Sequence, residues 1–288
     1  MCSSDLVHGE LGDGAAPASP SVGTYPFVAG APFGAADPAS PVQGWSNIVA
    51  GQNHTCGVPR FNNPLVPPGP PSQVPLCWGL NTSGQVGNNA LSSLGGQKIP
   101  AAIAPLPAAG AAFDSLSISA GSQHTCAIAV APAGIAGNAY CWGANGFGQL
   151  GTGVPDPTVR DSVPTLVTGG IIFAKLYAGE NHTCGLTATG GAWCWGRDDY
   201  GQLGDGAPTA FGGGRGAPVQ VGGGLTFRSL SLGELYTCGL ATAATQTVPS
   251  AAAGTIYCWG DNLFGQIGNG TAANNAPVLV PTKVLYQP

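Results

Sequence analysis

A unit with two blocks of fixed spacing occurs four times in this chain. In the first block a Gly lies three residues before a His or Tyr that is followed by Thr-Cys, and in the second block a Gln lies seven residues after the Trp of a Cys-Trp-Gly motif. The lengths between and after the blocks vary freely. Constant blocks with variable joints are typical of repeat proteins built from equivalent supersecondary units. The first blocks contain His54, His124, His182 and Tyr236, and the second blocks contain Trp78, Trp142, Trp195 and Trp259.

The shortest copy of the unit predicts an antiparallel hairpin between Cys184 and Cys194. Gly190 suits the left-handed backbone position that closes a three-residue hairpin loop. If Thr187 lies opposite Gly191, the same register places Cys184 opposite Cys194. Directly opposed strand residues have Cβ atoms close enough for a disulfide. The register of this hairpin therefore predicts a cross-strand disulfide.

Eight of the nine cysteines form pairs of this kind, and Cys2 is left over. One alternative is eight buried free thiols, because Cys packs well in protein cores. Metal binding is a second alternative, but the separations of 21, 15, 10 and 20 residues vary widely and no Cys-x-x-Cys pair exists. The predicted pairs are Cys56 with Cys77, Cys126 with Cys141, Cys184 with Cys194, and Cys238 with Cys258.

Other residues of each unit also favour β-structure. Leu176 and its equivalents lie three residues before the repeat Gly and indicate a strand that enters the hairpin from the opposite side. Asp198 stands where the other copies have Asn, and Asx residues favour a turn because their side chains hydrogen-bond to nearby backbone. Leu203 and its equivalents provide one apolar plug per unit. The chain is therefore predicted to be all-β.

The two blocks resemble the regulator of chromosome condensation repeat, in its secreted, disulfide-containing bacterial form. Four copies of Gly-x-x-His-Thr and Trp-Gly-x-Asn-x-x-Gly-Gln, in register, cover roughly residues 45–288. The resemblance implies a β-propeller, typically with about seven four-stranded blades. Tyr236 replaces the repeat His, each unit has two cysteines, and only four full copies are present. We therefore expect about four complete blades, with partial blades at both ends.

Both ends of the chain match parts of a unit. Val7–Gly14 matches the tail of a repeat, and the stretch from Pro277 is expected to open a fifth unit. Cys2–Leu6 reads CSSDL, which the end of a common sequencing adapter can encode, so it is interpreted as non-native. We expect a fragment whose signal peptide and remaining blades, which would be intramolecular partners, are missing. The predicted segments are residues 1–6 (non-native), 7–14 (tail of a truncated repeat), 15–87 (repeat 1 with an insertion), 88–151 (repeat 2), 152–204 (repeat 3), 205–268 (repeat 4) and 269–288 (start of a truncated repeat).

Composition argues against several functions. Only 7% of residues are charged, the net charge is −5, and the Lys and Arg residues form no basic stripe, so nucleic-acid binding is not expected. No apolar run approaches the ~20 residues of a membrane helix, so no membrane span is predicted. Four disulfides would place the protein in an oxidising compartment, which favours an extracellular, cell-surface or periplasmic location.

The repeated His and Trp residues are predicted to be structural. A His that recurs at one position of each unit is expected to bond a neighbouring blade through a ring nitrogen, and the alternative is a catalytic or metal role. The repeat Trp is expected to pack between blades. The chain contains no phosphate-binding loop, no His-Glu-x-x-His and no Gly-x-Ser-x-Gly motif. We therefore predict no catalytic residue, no metal site and no cofactor.

The segments between paired cysteines are the candidate recognition loops. They contain 20, 14, 9 and 19 residues and should all emerge on one face of a propeller. Variable loops on one face commonly carry the function of a repeat protein. Neutral insertion is the alternative. The first segment is rich in Pro, and its predicted partner-binding residues are Arg60, Phe61, Asn62 and Asn63.

Three classes of function are consistent with these features. The first is an extracellular or surface-exposed binding propeller without catalytic activity, whose partner is another protein. Secreted members of the family it resembles include β-lactamase inhibitor proteins. The second is a propeller-scaffold enzyme such as a lyase. The third, guanine-nucleotide exchange on a small GTPase, is disfavoured by the acidic charge and the paired cysteines.

Peptide mapping without reduction should recover each of the four predicted disulfides from within one repeat unit. The measurement is mass spectrometry of a digest of protein secreted into oxidising medium, with a reduced digest as the control. Recovery of free thiols at most of the eight positions would remove the argument for an extracellular location.

Overall fold

The described residues form four antiparallel sheets of four strands each, and no helix occurs among them. Residues 1–41, which include the expected non-native segment and repeat tail, lie outside this description. The computed structural model describes residues 42–61, 74–92, 96–106, 112–130, 136–242, 254–271 and 276–285. None of these residues lies in a helix long and apolar enough to cross a membrane.

Each sheet contains four strands that are consecutive in the chain. The first sheet contains β1 (Val42–Ala50), β2 (His54–Phe61), β3 (Leu76–Gly79) and β4 (Gln97–Ala102). The second contains β5 (Ala112–Ala120), β6 (His124–Val130), β7 (Ala136–Ala144) and β8 (Arg160–Leu166). The third contains β9 (Lys175–Ala178), β10 (His182–Leu186), β11 (Ala192–Arg197) and β12 (Gly214–Gln220). The fourth contains β13 (Phe227–Leu232), β14 (Tyr236–Ala241), β15 (Ile256–Gly260) and β16 (Val278–Lys283).

The sheets are the blades of a β-propeller. The first strands of successive sheets contact one another, so β1, β5, β9 and β13 are innermost and the fourth strands are outermost. Because the strands alternate in direction, all loops between first and second strands lie on one face, with those between third and fourth strands. We call this the axial face. The hairpins between second and third strands lie on the opposite side, the hairpin face. The predicted all-β propeller is confirmed.

The hairpin register predicted from the shortest unit is also confirmed. Cys184 lies opposite Cys194, and the Thr187 amide donates to the Gly191 carbonyl at 2.9 Å. Gly190 has a φ of 84°, in the left-handed region that a side chain would strain. The sheet register therefore follows from the length of one tight turn.

The C-terminal segment corrects one expectation. The stretch from Pro277 was expected to open a fifth unit, but β16 pairs with β15 and completes the fourth sheet, with Lys283 opposite Tyr257. The chain returns beside the strand that carries Cys-Trp-Gly after the loop of the second block. Each sheet therefore takes its outer strand from the segment that follows the predicted repeat boundary, so β4 lies within residues 88–151 but belongs to the first sheet.

The loop of the second block is fixed by an Asx side chain and an apolar plug. In each sheet an Asn or Asp Oδ1 accepts the backbone amide of the plug residue five positions later, at 3.0–3.2 Å. The plug is fully buried in every sheet. The pairs are Asn81 with Val86, Asn145 with Leu150, Asp198 with Leu203, and Asn262 with Ile267.

One backbone carbonyl joins each pair of neighbouring sheets. The carbonyl of Gln85 in the first sheet accepts hydrogen bonds from Trp142 Nε1 at 3.0 Å and Thr125 Oγ1 at 2.8 Å, both in the second sheet. His54 of the first sheet bonds the same Thr125 hydroxyl at 2.7 Å through Nε2. The arrangement repeats at the carbonyls of Gln149 and Gln202.

The Thr hydroxyl fixes the tautomer of the His. Because Thr125 gives its proton to the Gln85 carbonyl, the His54 Nε2 must donate to the hydroxyl oxygen, and Nδ1 carries no proton. That Nδ1 is buried without a hydrogen-bond partner, as it is in His124 and His182. Burial lowers the pKa of His54 to about 4 and the pKa values of His124 and His182 to about 3. The folded protein therefore holds all three rings neutral.

The third sheet contains an exchange of Asn for Asp that an Arg compensates. In the first, second and fourth sheets the Asn Nδ2 donates to a backbone carbonyl nine residues later. Asp198 cannot donate, and Arg215 contacts that carbonyl, of Ala207, instead. Arg215 Nε lies 3.5 Å from Asp198 Oδ2, and its Nη2 lies 3.0 Å from Asp205 Oδ2. Burial is the main cause that raises the pKa of Asp198 to about 7.

The neutral histidines predict a loss of stability in acid. Their folded-state pKa values lie below the ordinary 6.5, so their stabilising contribution is complete above pH 6.5 and is lost as the pH falls towards 4. His54→Gln keeps a donor for Thr125 but cannot titrate. The variant should be less stable than wild type at pH 8, and the gap should close by up to about 1.4 kcal/mol per pH unit below 6.5. Urea denaturation at several pH values measures this, and parallel curves would contradict it.

Asp198→Asn should raise the free energy of unfolding above pH 7. The folded-state pKa of Asp198, about 7, exceeds its ordinary 3.8, so ionisation destabilises the fold progressively as the pH rises from about 4 to about 7. Urea denaturation should show the variant's advantage growing over that range. The control Asn145→Asp should lose roughly 1–3 kcal/mol, because the position equivalent to Arg215 holds Asp161 there. Identical pH curves for Asp198→Asn and wild type would mean that Arg215 already neutralises the carboxylate.

Candidate functional site

The residues predicted to be structural lie between the sheets. Trp142, Trp195 and Trp259 are fully buried, and each lies near an aromatic residue in or just before the first strand of its own sheet, with ring centroids 5.7–6.0 Å apart. Trp78 of the first sheet lies 5.8 Å from Trp45 in the same way. His54, His124 and His182 each bond a Thr of the next sheet at 2.7–2.9 Å. Among the described residues, no group of three or more His, Cys, Asp or Glu side chains could hold a metal ion.

The four predicted cysteine pairs are disulfides between the second and third strands of each sheet. Their Cα atoms are 4.0–4.1 Å apart, and the pairs are Cys56–Cys77, Cys126–Cys141, Cys184–Cys194 and Cys238–Cys258. In every sheet the two cysteines lie opposite one another in the ladder. Each disulfide therefore closes the stem of the hairpin that leads to the hairpin face.

The predicted partner-binding residues begin within a strand. The backbone of Arg60 pairs with that of Gly44, and the backbone of Phe61 pairs with that of Val42. Both residues therefore lie at the C-terminal end of β2, on the hairpin face. Asn62 and Asn63 lie outside the described residues. Arg60 and Phe61 extend the pairing of β2 with β1, whereas the ladder between β2 and β3 ends at Gly57 opposite Leu76.

A depression on the axis is the main feature that the sequence analysis missed. It lies on the axial face, has a volume of about 460 Å³, and is lined by the four loops that join first to second strands. Each loop contributes the repeat Gly and the polar residue that follows it, which are Gln52, Ser122, Glu180 and Glu234. One signal of it in the sequence is the position after the repeat Gly, which is polar in all four copies.

Close stacking of these loops fixes the floor of the depression. The Gln52 amide donates to the Gly121 carbonyl at 3.2 Å, and the Ser122 amide donates to the Glu180 carbonyl at 3.1 Å. A Cβ on Gly121 would lie 2.5 Å from the Gly179 carbonyl oxygen, so only Gly fits there. The polar side chains are therefore presented from a tightly packed backbone.

The two faces carry opposite charge. Because the strand ends determine the face, the charged residues of the described ranges can be placed from the topology. The axial face has the acidic residues Asp156, Asp161, Glu180, Asp198, Asp199, Asp205, Glu234 and Asp261, and the basic residues Lys98, Arg160, Arg197 and Arg215. Among the residues whose side chains are described, the hairpin face has the basic residues Lys175, Arg228 and Lys283. The axial face also presents Phe211 and Phe264, each 86% exposed.

Models of a known repeat match parts of all four sheets. The regulator of chromosome condensation (RCC1) repeat matches residues 76–128, 136–186 and 253–287, and a second model of the same repeat matches residues 173–202. Together the matched ranges cover more than half of the chain.

Curated relatives carry the same repeat within longer proteins. The ultraviolet-B receptor UVR8 of Arabidopsis thaliana is 30% identical over 216 residues, which is 73% of this chain and 41% of UVR8. The E3 ubiquitin-protein ligase HERC2 of Homo sapiens is 28% identical over 167 residues, which is 57% of this chain and 3% of HERC2. This chain therefore spans less than half the length of either relative.

Two solved structures share the fold. Human WBSCR16 superposes with a TM-score of 0.65 at 18% identity, covering 85% of this chain and 55% of that one. Prp20p of Saccharomyces cerevisiae superposes with a TM-score of 0.60 at 18% identity, covering 84% of this chain and 50% of that one. The repeat models matched over more than half of the chain show that it belongs to the RCC1 repeat family.

Proposed function

We propose that this chain is a non-catalytic protein-binding propeller that works in an extracellular, cell-surface or periplasmic compartment. The observation that supports this most is the set of four disulfides, one at the stem of every hairpin. Disulfides of this kind form and persist in oxidising compartments. They also hold the stems in place while the tips vary in length, which lowers the cost of ordering a binding loop.

The recognition surface in this proposal is the hairpin face. Its segments between paired cysteines differ most in length, and its charged residues are mainly basic, which fits a partner with an acidic surface. Arg60 and Phe61 lead the candidates, because Arg and aromatic residues are enriched at interface hot spots. Propellers of this fold can bind proteins, since Prp20p was studied for its binding to Gsp1p and histones.

The test replaces Pro59–Pro75 with Thr187–Ala192, the short turn of the third sheet. Val58 and Leu76 remain, so the turn joins the stem in the register that Leu186 and Trp193 have with it in the third sheet. Partners are first captured from extracellular and periplasmic extracts by a photo-crosslinking amino acid at Phe61. The same amino acid at Phe264, on the axial face, is the control.

The expected result is a specific crosslink from position 61 and none to the same protein from position 264. The graft should keep the wild-type melting temperature and weaken binding of the captured partner by about tenfold or more. A matched control places the same turn in the second hairpin, in place of Ala129–Ala139. Unchanged affinity in both grafts would show that the hairpin face is not the recognition surface.

A further inference from the structure

Hydrogen bonds within and between the lining loops hold the backbone around the axial depression. In each lining loop the amide of the repeat Gly donates to the carbonyl of the His or Tyr three residues later, at 2.8–2.9 Å. Backbone hydrogen bonds then join the first loop to the second and the second to the third. The Cα atoms from which the lining side chains project are therefore fixed. Preorganisation of this kind reduces the entropy lost when a ligand binds.

The two halves of the depression differ in polarity. On one side Ser122 Oγ donates to Gln52 Oε1 at 2.9 Å, so these neutral groups satisfy one another. On the other side stand the carboxyl groups of Glu180 and Glu234. Oε2 of Glu180 is buried without a hydrogen-bond donor among the described residues. One carboxylate oxygen in the acidic half, Oε2 of Glu180, therefore lacks a hydrogen-bond donor.

Arg197, the cation that acts on the pKa of Glu180, does not supply the missing donor. Arg197 is held by Asp199 through two hydrogen bonds of 2.8 and 2.9 Å, and its guanidinium lies 5.2 Å from the ring centre of Phe147 and 5.8 Å from that of Tyr200. The ion pairs among the described residues link Arg197 to Asp199 and Arg215 to Asp198 and Asp205, and none involves Glu180 or Glu234.

The electrostatics of Glu180 agree with the geometry. Partial burial is the largest cause that raises its pKa, and the neighbouring Glu234 raises it further through its charge and through a hydrogen bond between the two side chains. Arg197 and a hydrogen bond with Asn181 act in the opposite direction without reversing the shift. A carboxylate withdrawn from water beside a like charge is stabilised most by a cation that also donates hydrogen bonds.

We propose that the axial depression binds a basic side chain, the ammonium of Lys or the guanidinium of Arg, presented by a protein partner on the axial face. The cation lies between the carboxylates of Glu180 and Glu234. The negative charge of the surrounding face attracts a basic partner over a longer range. This site is separate from the hairpin face, so it stands or falls independently of the recognition surface proposed above.

The test uses short peptides with single basic residues and the full chain. Acetyl-Gly-Gly-Arg-Gly-Gly-amide and its Lys counterpart are titrated into ¹⁵N-labelled protein at low salt, with the norleucine peptide as the neutral probe. The amide signals of residues 179–181 and 233–235 should shift with the basic peptides only. Glu180→Gln with Glu234→Gln should weaken binding by about tenfold or more.

A matched variant separates the depression from the general charge of its face. Asp156→Asn with Asp261→Asn removes two negative charges from the axial face outside the depression and should change affinity less than about threefold. An equal loss in both double variants would overturn the proposal. Equal shifts with the norleucine peptide would also overturn it.

The pH dependence of the wild-type protein tests the same site without a substitution. Binding should weaken as the pH falls from 7 to 4.5, because Glu180 takes up a proton that a bound cation would exclude. Constant affinity over that range would contradict the proposal, even if the double Gln variant did not fold.

Discussion

The structure depends on one backbone carbonyl at each junction between sheets. The Gln carbonyl of one sheet accepts hydrogen bonds from a Trp and a Thr of the next, and a His of the first sheet completes the set through the Thr hydroxyl. Four groups from two blades thus satisfy one another in a buried space where unpaired polar groups are costly. Because the spacing from the repeat Trp to the repeat Gln is fixed, the Trp donor and the Gln carbonyl occupy the same positions in every sheet. The loops elsewhere vary in length.

Sequence could predict the parts of this fold that depend on local spacing. The register of the shortest hairpin followed from Gly190, and the same register gave the four disulfides. The outer strand was assigned to the wrong unit at the C-terminus, because β16 pairs across a loop whose length is not constrained by the blocks. The axial depression was missed because it exists only when four separate loops stack, and no single repeat contains it.

The opposite charge of the two faces follows from strand direction. Glu180 and Glu234 stand at the same repeat position, directly after the Gly of the first block, whereas Lys175 and Arg228 stand near the start of the first strands. A substitution that occurs at equivalent positions of several repeats therefore accumulates on one face. A propeller can thus acquire two chemically different surfaces through changes at a few repeat positions while the inter-sheet contacts stay the same.

The position of each disulfide has a consequence for chain cleavage. A peptide bond cut in the tip of a hairpin leaves two segments that are still joined through the stem, for example by Cys56 and Cys77. The second and third strands of that sheet remain paired, and the contacts with neighbouring sheets involve residues away from the tip. A chain cut between two paired cysteines would therefore keep its covalent continuity through the disulfide.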